Sequence, residues 1–116
     1  MKAFNHCKSS VKYFGGRVLD YHDIHSWFDE TKDYYADIRH RALRHHTLGI
    51  RECEKKFGIY IINSDGKDIP VRSIAEQHIR EDLGCIPSVQ DWLKEIKPKS
   101  WMASTKKNTV KKMNLM

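Results

Sequence analysis

Apolar residues recur at helical spacing through most of the chain, and the pattern predicts a mainly α domain. The longest stretch, TKDYYADIRHRALRHHTLGIRECEKKFG, reads as one central helix over about residues 32–57. Thr31 can cap its start, Asp33 favours the first turn, and Gly58 closes it after Lys55 and Lys56. The segment before Gly15-Gly16 reads as helical, and DYHDIHSWFD as a short helix reaching about Asp29, capped by Asp20 or Asp23. The period then changes. IYII and IPVR flank the turn NSDGKD, which predicts a small β-hairpin with Pro70 holding its second strand at an edge. Two capped helices follow. Ser73 and Glu76 open one that closes at Gly84, and Ser88 and Asp91 open another that runs to about Ile96.

Placed at about 100° per residue, the central helix has an apolar arc of Tyr35, Ile38, Ala42, Gly49, Ile50, Cys53 and Phe57. Arg39 and His46 fall inside that arc. Arg41, Arg44 and His40 point away from it, and His45 sits at its edge. Asp37 is placed to pair with Arg41 at i,i+4. On the helix SIAEQHIREDLG, His78 and Asp82 fall among Ile74, Ala75, Ile79 and Leu83. In HDIHSWFD, His25 and Asp29 share one side at i,i+4. The small Ala42 and Gly49 would let another element approach closely, which leaves a homo-oligomer open.

A chain of 116 residues suffices for one domain with a real core. The net charge of +6 is uneven: residues 1–96 balance 15 basic against 15 acidic residues, and the six lysines of residues 97–116 carry the whole excess. The domain is therefore read as residues 1–96, with 97–116 a basic, flexible tail that could touch nucleic acid weakly. Cys7, Cys53 and Cys85 are odd in number and lack a C-x-x-C, which disfavours a disulfide framework or a zinc-cysteine site and fits a reducing cytoplasm. The N-terminus does not read as a signal peptide, and no stretch is long and apolar enough to span a membrane. There is no P-loop, dinucleotide fingerprint or H-E-x-x-H.

Charge on an apolar arc is costly unless it is neutralised. Three readings of Arg39, His46, His78 and Asp82 follow. In the first, they bind a small anionic, phosphate-bearing ligand such as a nucleotide, with Arg39 as bidentate anchor. The second is a metal-dependent hydrolase in which His25 and Asp29 join the cluster and hold a divalent ion, zinc or manganese. The third is a purely structural buried network in a protein-interaction module.

The runs IHSWFDETK, DIRHRALRHHTLGI, EQHIREDLG and IPSVQDW resemble a family of small uncharacterised proteins from bacteria and their phages, over roughly residues 6–102. The resemblance implies a stand-alone domain of the cytoplasm (the host cytoplasm if phage-encoded) and assigns no reaction. Its motif residues here include His25, Asp29, Arg39, His45, His46, His78 and Asp82.

Overall fold

Glycines make the first corner. Helix α1 (Ala3–Phe14) ends at Gly15 and Gly16, whose φ values of 81° and 74° favour glycine. The Gly15 carbonyl accepts from the buried Tyr21 hydroxyl at 2.7 Å, which pins the turn to helix α2 (Val18–Asp29). The computed structural model describes residues 1–103 and is mainly α.

The single central helix expected over 32–57 is interrupted. Two short 3-10 segments, Glu30–Asp33 and Ile38–Leu43, precede helix α3 (Thr47–Phe57). Side chains acting on nearby backbone explain the breaks. The Asp37 carboxylate accepts from Arg39 N at 2.8 Å, and His46 Nδ1 accepts from Gly49 N at 3.0 Å, so each begins a new element. Gly49 is essential to the fold-back, because a Cβ there would lie 1.7 Å from the Arg44 carbonyl oxygen. The close approach foreseen at Gly49 is thus made by the chain's own preceding turn. The one helical phase laid across 32–57 does not hold.

Strands β1 (Tyr60–Ile62) and β2 (Asp68–Pro70) form the expected antiparallel hairpin, with Ile61 opposite Ile69. Asn63 Oδ1 accepts from Asp65 N and Lys67 N, both at 3.0 Å, and shapes the turn. Helix α4 (Val71–Leu83) starts directly after Pro70, so Ser73 lies inside it and the expected Ser73–Glu76 capping box is not its start. Gly84 closes it in the left-handed conformation. The Ser88–Asp91 box does open α5, which is short (Val89–Leu93).

Helix α4 is the hub, packing against α1, α2 and α3. The core joins Tyr21, Ile24 and Phe28 of α2, Ile50 and Cys53 of α3, and Val71, Ile74, Ala75 and Ile79 of α4. Burial pushes the Cys53 thiol up to about 12, so it packs as an apolar group. No described helix is long and apolar enough to cross a membrane. The lysine-rich tail beyond residue 103 lies outside the described residues.

Candidate metal centre

Four elements deliver polar side chains to one buried point beside α4. Asp29 is the last residue of α2, and His78 and Asp82 lie one turn apart on α4. His45 comes from the turn between the second 3-10 segment and α3. That turn is clamped from outside: Trp92 Nε1 donates to the His45 carbonyl at 2.9 Å, and Thr47 N donates to the Pro87 carbonyl at 3.0 Å. His6, on α1, completes the surround.

Asp82 is the focus. Its side chain is 1% exposed and is reached by three histidines. Oδ2 faces His45 Nε2 at 2.8 Å and His78 Nε2 at 3.2 Å. Oδ1 faces His6 Nε2 at 3.1 Å and the Met1 amino group at 3.0 Å. Burial alone would raise the Asp82 carboxyl. The close imidazoles of His45, His6 and His78 overcome that effect and hold it far below the ordinary carboxylate range.

Asp29 Oδ1 lies 3.4 Å from His78 Nε2. One donor atom from each of Asp29, His45, His78 and Asp82 falls within 4.8 Å of every other. Metal bonds of about 2.0–2.2 Å would separate neighbouring ligands by about 2.8–3.6 Å. The separations of 2.8, 3.2 and 3.4 Å lie in that span. Three side-chain atoms of these residues, His78 Nε2, His45 Nδ1 and the second oxygen of Asp29, are buried without a hydrogen-bond partner.

A chain of hydrogen bonds behind His78 assigns its protons. Gln77 Nε2 sits 3.0 Å from the His6 carbonyl and 3.0 Å from Glu81 Oε1, so it donates to both. Gln77 Oε1 is left to accept from the Ser10 hydroxyl at 2.7 Å. With its one proton used there, Ser10 Oγ accepts from His25 Nε2 at 2.7 Å. Burial, reinforced by the neighbouring His78 and His6, pushes His25 down to about 2, so it is neutral and its Nδ1 bears a lone pair. His78 Nδ1, 2.9 Å away, therefore carries the proton and donates. What remains on His78 is Nε2, aimed at two carboxylates. A lone pair there is repelled unless a cation, a proton or a metal ion, occupies the space between.

His78 itself responds to this field. Burial would lower it, but the facing carboxylates of Asp29 and Asp82 favour its charged form and raise it above the ordinary histidine value. Burial lowers His45, with the Asp82 hydrogen bond opposing.

The residues predicted from the sequence divide. Asp29, His78 and Asp82 meet here, and His25 stands directly behind His78. Arg39 does not join them. It is exposed, pairs with Asp37 (Nη2–Oδ2 2.7 Å) and lies over the Tyr35 ring. Asp37 therefore does not pair with Arg41. His46 is buried but serves as the α3 cap, with Nε2 donating to the Ala42 carbonyl at 3.0 Å. His40, expected to be exposed, is 2% exposed and bonded to Thr31 Oγ1 at 2.7 Å. The sequence reading set His45 at an edge and passed over His6. The pair His6 and Ser10 at i,i+4 on α1 is the signal that could have marked the latter.

A family model described as "Domain of unknown function (DUF6915)" matches residues 1–102, and no curated protein or solved structure matches the chain.

Proposed function

Since the chain belongs to this family of domains of unknown function, we propose its role from the site alone: it binds one divalent transition-metal ion through Asp29, His45, His78 and Asp82. The observation that carries the reading is His78 Nε2. It is buried, without a hydrogen-bond partner, and pointed at two carboxylates by a relay that places its proton on the opposite nitrogen. Two imidazoles and two carboxylates suit zinc or manganese. His25 then fills the role of the partner that orients a metal-ligating histidine. On zinc, four protein ligands complete a tetrahedron. On manganese, which takes six, two positions stay open for water or substrate. Metal-dependent hydrolysis is the activity that such open positions would support.

The nucleotide-binding reading anchored on Arg39 and His46 has less support, because those two side chains are spent on Asp37 and on the α3 backbone.

Metal analysis of untagged protein tests the proposal. The expected result is about one zinc or manganese per chain, with a rise in melting temperature on metal addition. His78→Gln and Asp29→Asn should lose both. Trace metal only, together with a melting temperature indifferent to chelator and to added metal, would overturn it.

A further inference from the structure

Arg41 stands beside Asp82 with its hydrogen-bonding capacity unspent. Its side chain is four-fifths buried, at 20% exposure. Nη2 is 3.8 Å from Asp82 Oδ1, beyond hydrogen-bond reach, and the guanidinium makes no hydrogen bond among the described residues. Its neighbours are spent by contrast, Arg39 on Asp37 and Arg44 on Glu30. Asp82 has no capacity to spare, since Oδ1 is engaged by His6 and the Met1 amino group and Oδ2 by His45 and His78. Glu81 is engaged by His6 and Gln77. A guanidinium whose five donors are uncommitted is free to receive an oxyanion in its fork. The arrangement leaves the guanidinium available to an acceptor from outside the chain.

The Asp82 carboxylate spans the two features. One oxygen faces the metal ligands His45 and His78, and the other faces Arg41. The guanidinium and the metal position thus flank the two oxygens of one carboxylate. Charge selects the oxyanion. Asp29 and Asp82 neutralise a divalent ion. Arg41, and Lys32 in the 3-10 segment that directly follows Asp29, then leave two positive charges beside it. A phosphoryl dianion matches that, and a carboxylate does not. His40 Nε2, free of hydrogen bonds among the described residues, adds a donor or acceptor beside Arg41.

Resting on the metal reading above, we infer that the site takes a phosphoryl group, held between an open position on the metal and the fork of Arg41. Bidentate guanidinium–phosphate pairing is among the strongest hydrogen-bonding arrangements available.

The experiment uses the untagged full chain loaded with Mn²⁺, its metal content measured before any anion is added. Inorganic phosphate is then titrated, read by calorimetry and by the relaxation rate of water protons, which falls when an anion displaces metal-bound water. One phosphate should bind per metal, with acetate binding about tenfold more weakly or worse. Arg41→Ala and Arg41→Gln should keep the metal content and lose about tenfold or more in phosphate affinity. Circular dichroism checks that each is folded, and the Gln variant decides if the Ala variant is not. Unchanged phosphate affinity in a folded Arg41 variant overturns the inference. So does equal phosphate binding without metal, or acetate binding as tightly as phosphate. A wild-type chain that takes up no metal fails at the first step, which overturns the metal reading and this inference with it.

Discussion

The Nδ1 atoms of His25 and His78 lie 2.9 Å apart, and the bond runs from His78 to His25. Its direction is inherited from Gln77 through Ser10, three bonds away from the carboxylates that it serves. A set of neutral donors thereby aims His78 Nε2, the seat of a proton or a metal ion, at Asp29 and Asp82. Second-sphere partners of this kind set both tautomer and ring orientation of a ligating histidine.

Replacing His25 by Phe leaves the His78 Nδ1–H buried without an acceptor. The expected cost is about 1–3 kcal/mol of stability, read by urea denaturation of the metal-free protein. Metal affinity should also fall about 10–100-fold. A His25→Phe protein that binds metal as wild type does would show that the relay orients nothing.

Asp82→Ala removes the carboxylate that His6, His45 and His78 surround. With that carboxylate 1% exposed, the variant should lose about 3–5 kcal/mol. Added zinc or manganese should no longer raise its melting temperature. A metal-dependent rise that survives would place the ion elsewhere.

Gly49→Ala tests the fold-back that presents His45. Its Cβ would meet the Arg44 carbonyl oxygen at 1.7 Å, so the turn must shift. A loss of about 1–3 kcal/mol or more is expected, with weaker metal binding because His45 moves with Arg44. Wild-type stability and affinity in this variant would contradict the turn as drawn.

Arg39→Ala should be nearly silent. Its ion pair with Asp37 is exposed on both sides, so stability should change by less than about 1 kcal/mol. Metal and phosphate binding should be unaffected. A marked loss of either would return Arg39 to the site.

Acidification should destabilise the metal-free protein. Burial pushes His25 down to about 2 and also lowers His45, His46 and His40 from an ordinary 6.5. Below about pH 6.5 the unfolded chain takes up protons that these folded imidazoles refuse. Stability therefore falls as pH falls, by about 1.4 kcal/mol per unit for His25 alone. His78 has the opposite sign. Raised by its carboxylate partners despite burial, it adds stability that is full below 6.5 and lost as pH rises through its folded value. Four lowered imidazoles outweigh one raised. The urea midpoint should be lower at pH 5.5 than at pH 7, and an equal or higher midpoint would contradict the assignment.

Local patterns made much of the fold legible. The turn residues of NSDGKD specify the hairpin, Ser88 and Asp91 open α5 as expected, and Gly84 stops α4. The pairs His25/Asp29 and His78/Asp82 share faces because α2 and α4 are regular helices, where i and i+4 are neighbours. The stretch RHRALRHH was misread for a definite reason. Its residues suit a helix, so a single angular phase was carried across it. That phase put Arg39 inside, Arg41 outside and His45 at the edge; His46, also set inside, is buried, but as the α3 cap.

By itself, then, the sequence determined the mainly α class, the hairpin and two pairs of polar residues that share a helix face, all of which depend on contacts within a few residues. Tertiary structure decided that Asp29 and Asp82 meet, that His45 rather than His46 reaches them, and that His6 closes the far side. The Asp37 and His46 side chains break the helix by bonding nearby backbone, and Gly49 admits the Arg44 carbonyl. Each break resets the helical phase. Which side chains then face inward depends on the packing of α1, α2 and α3 around α4, a relation between distant segments that periodicity along one of them does not contain.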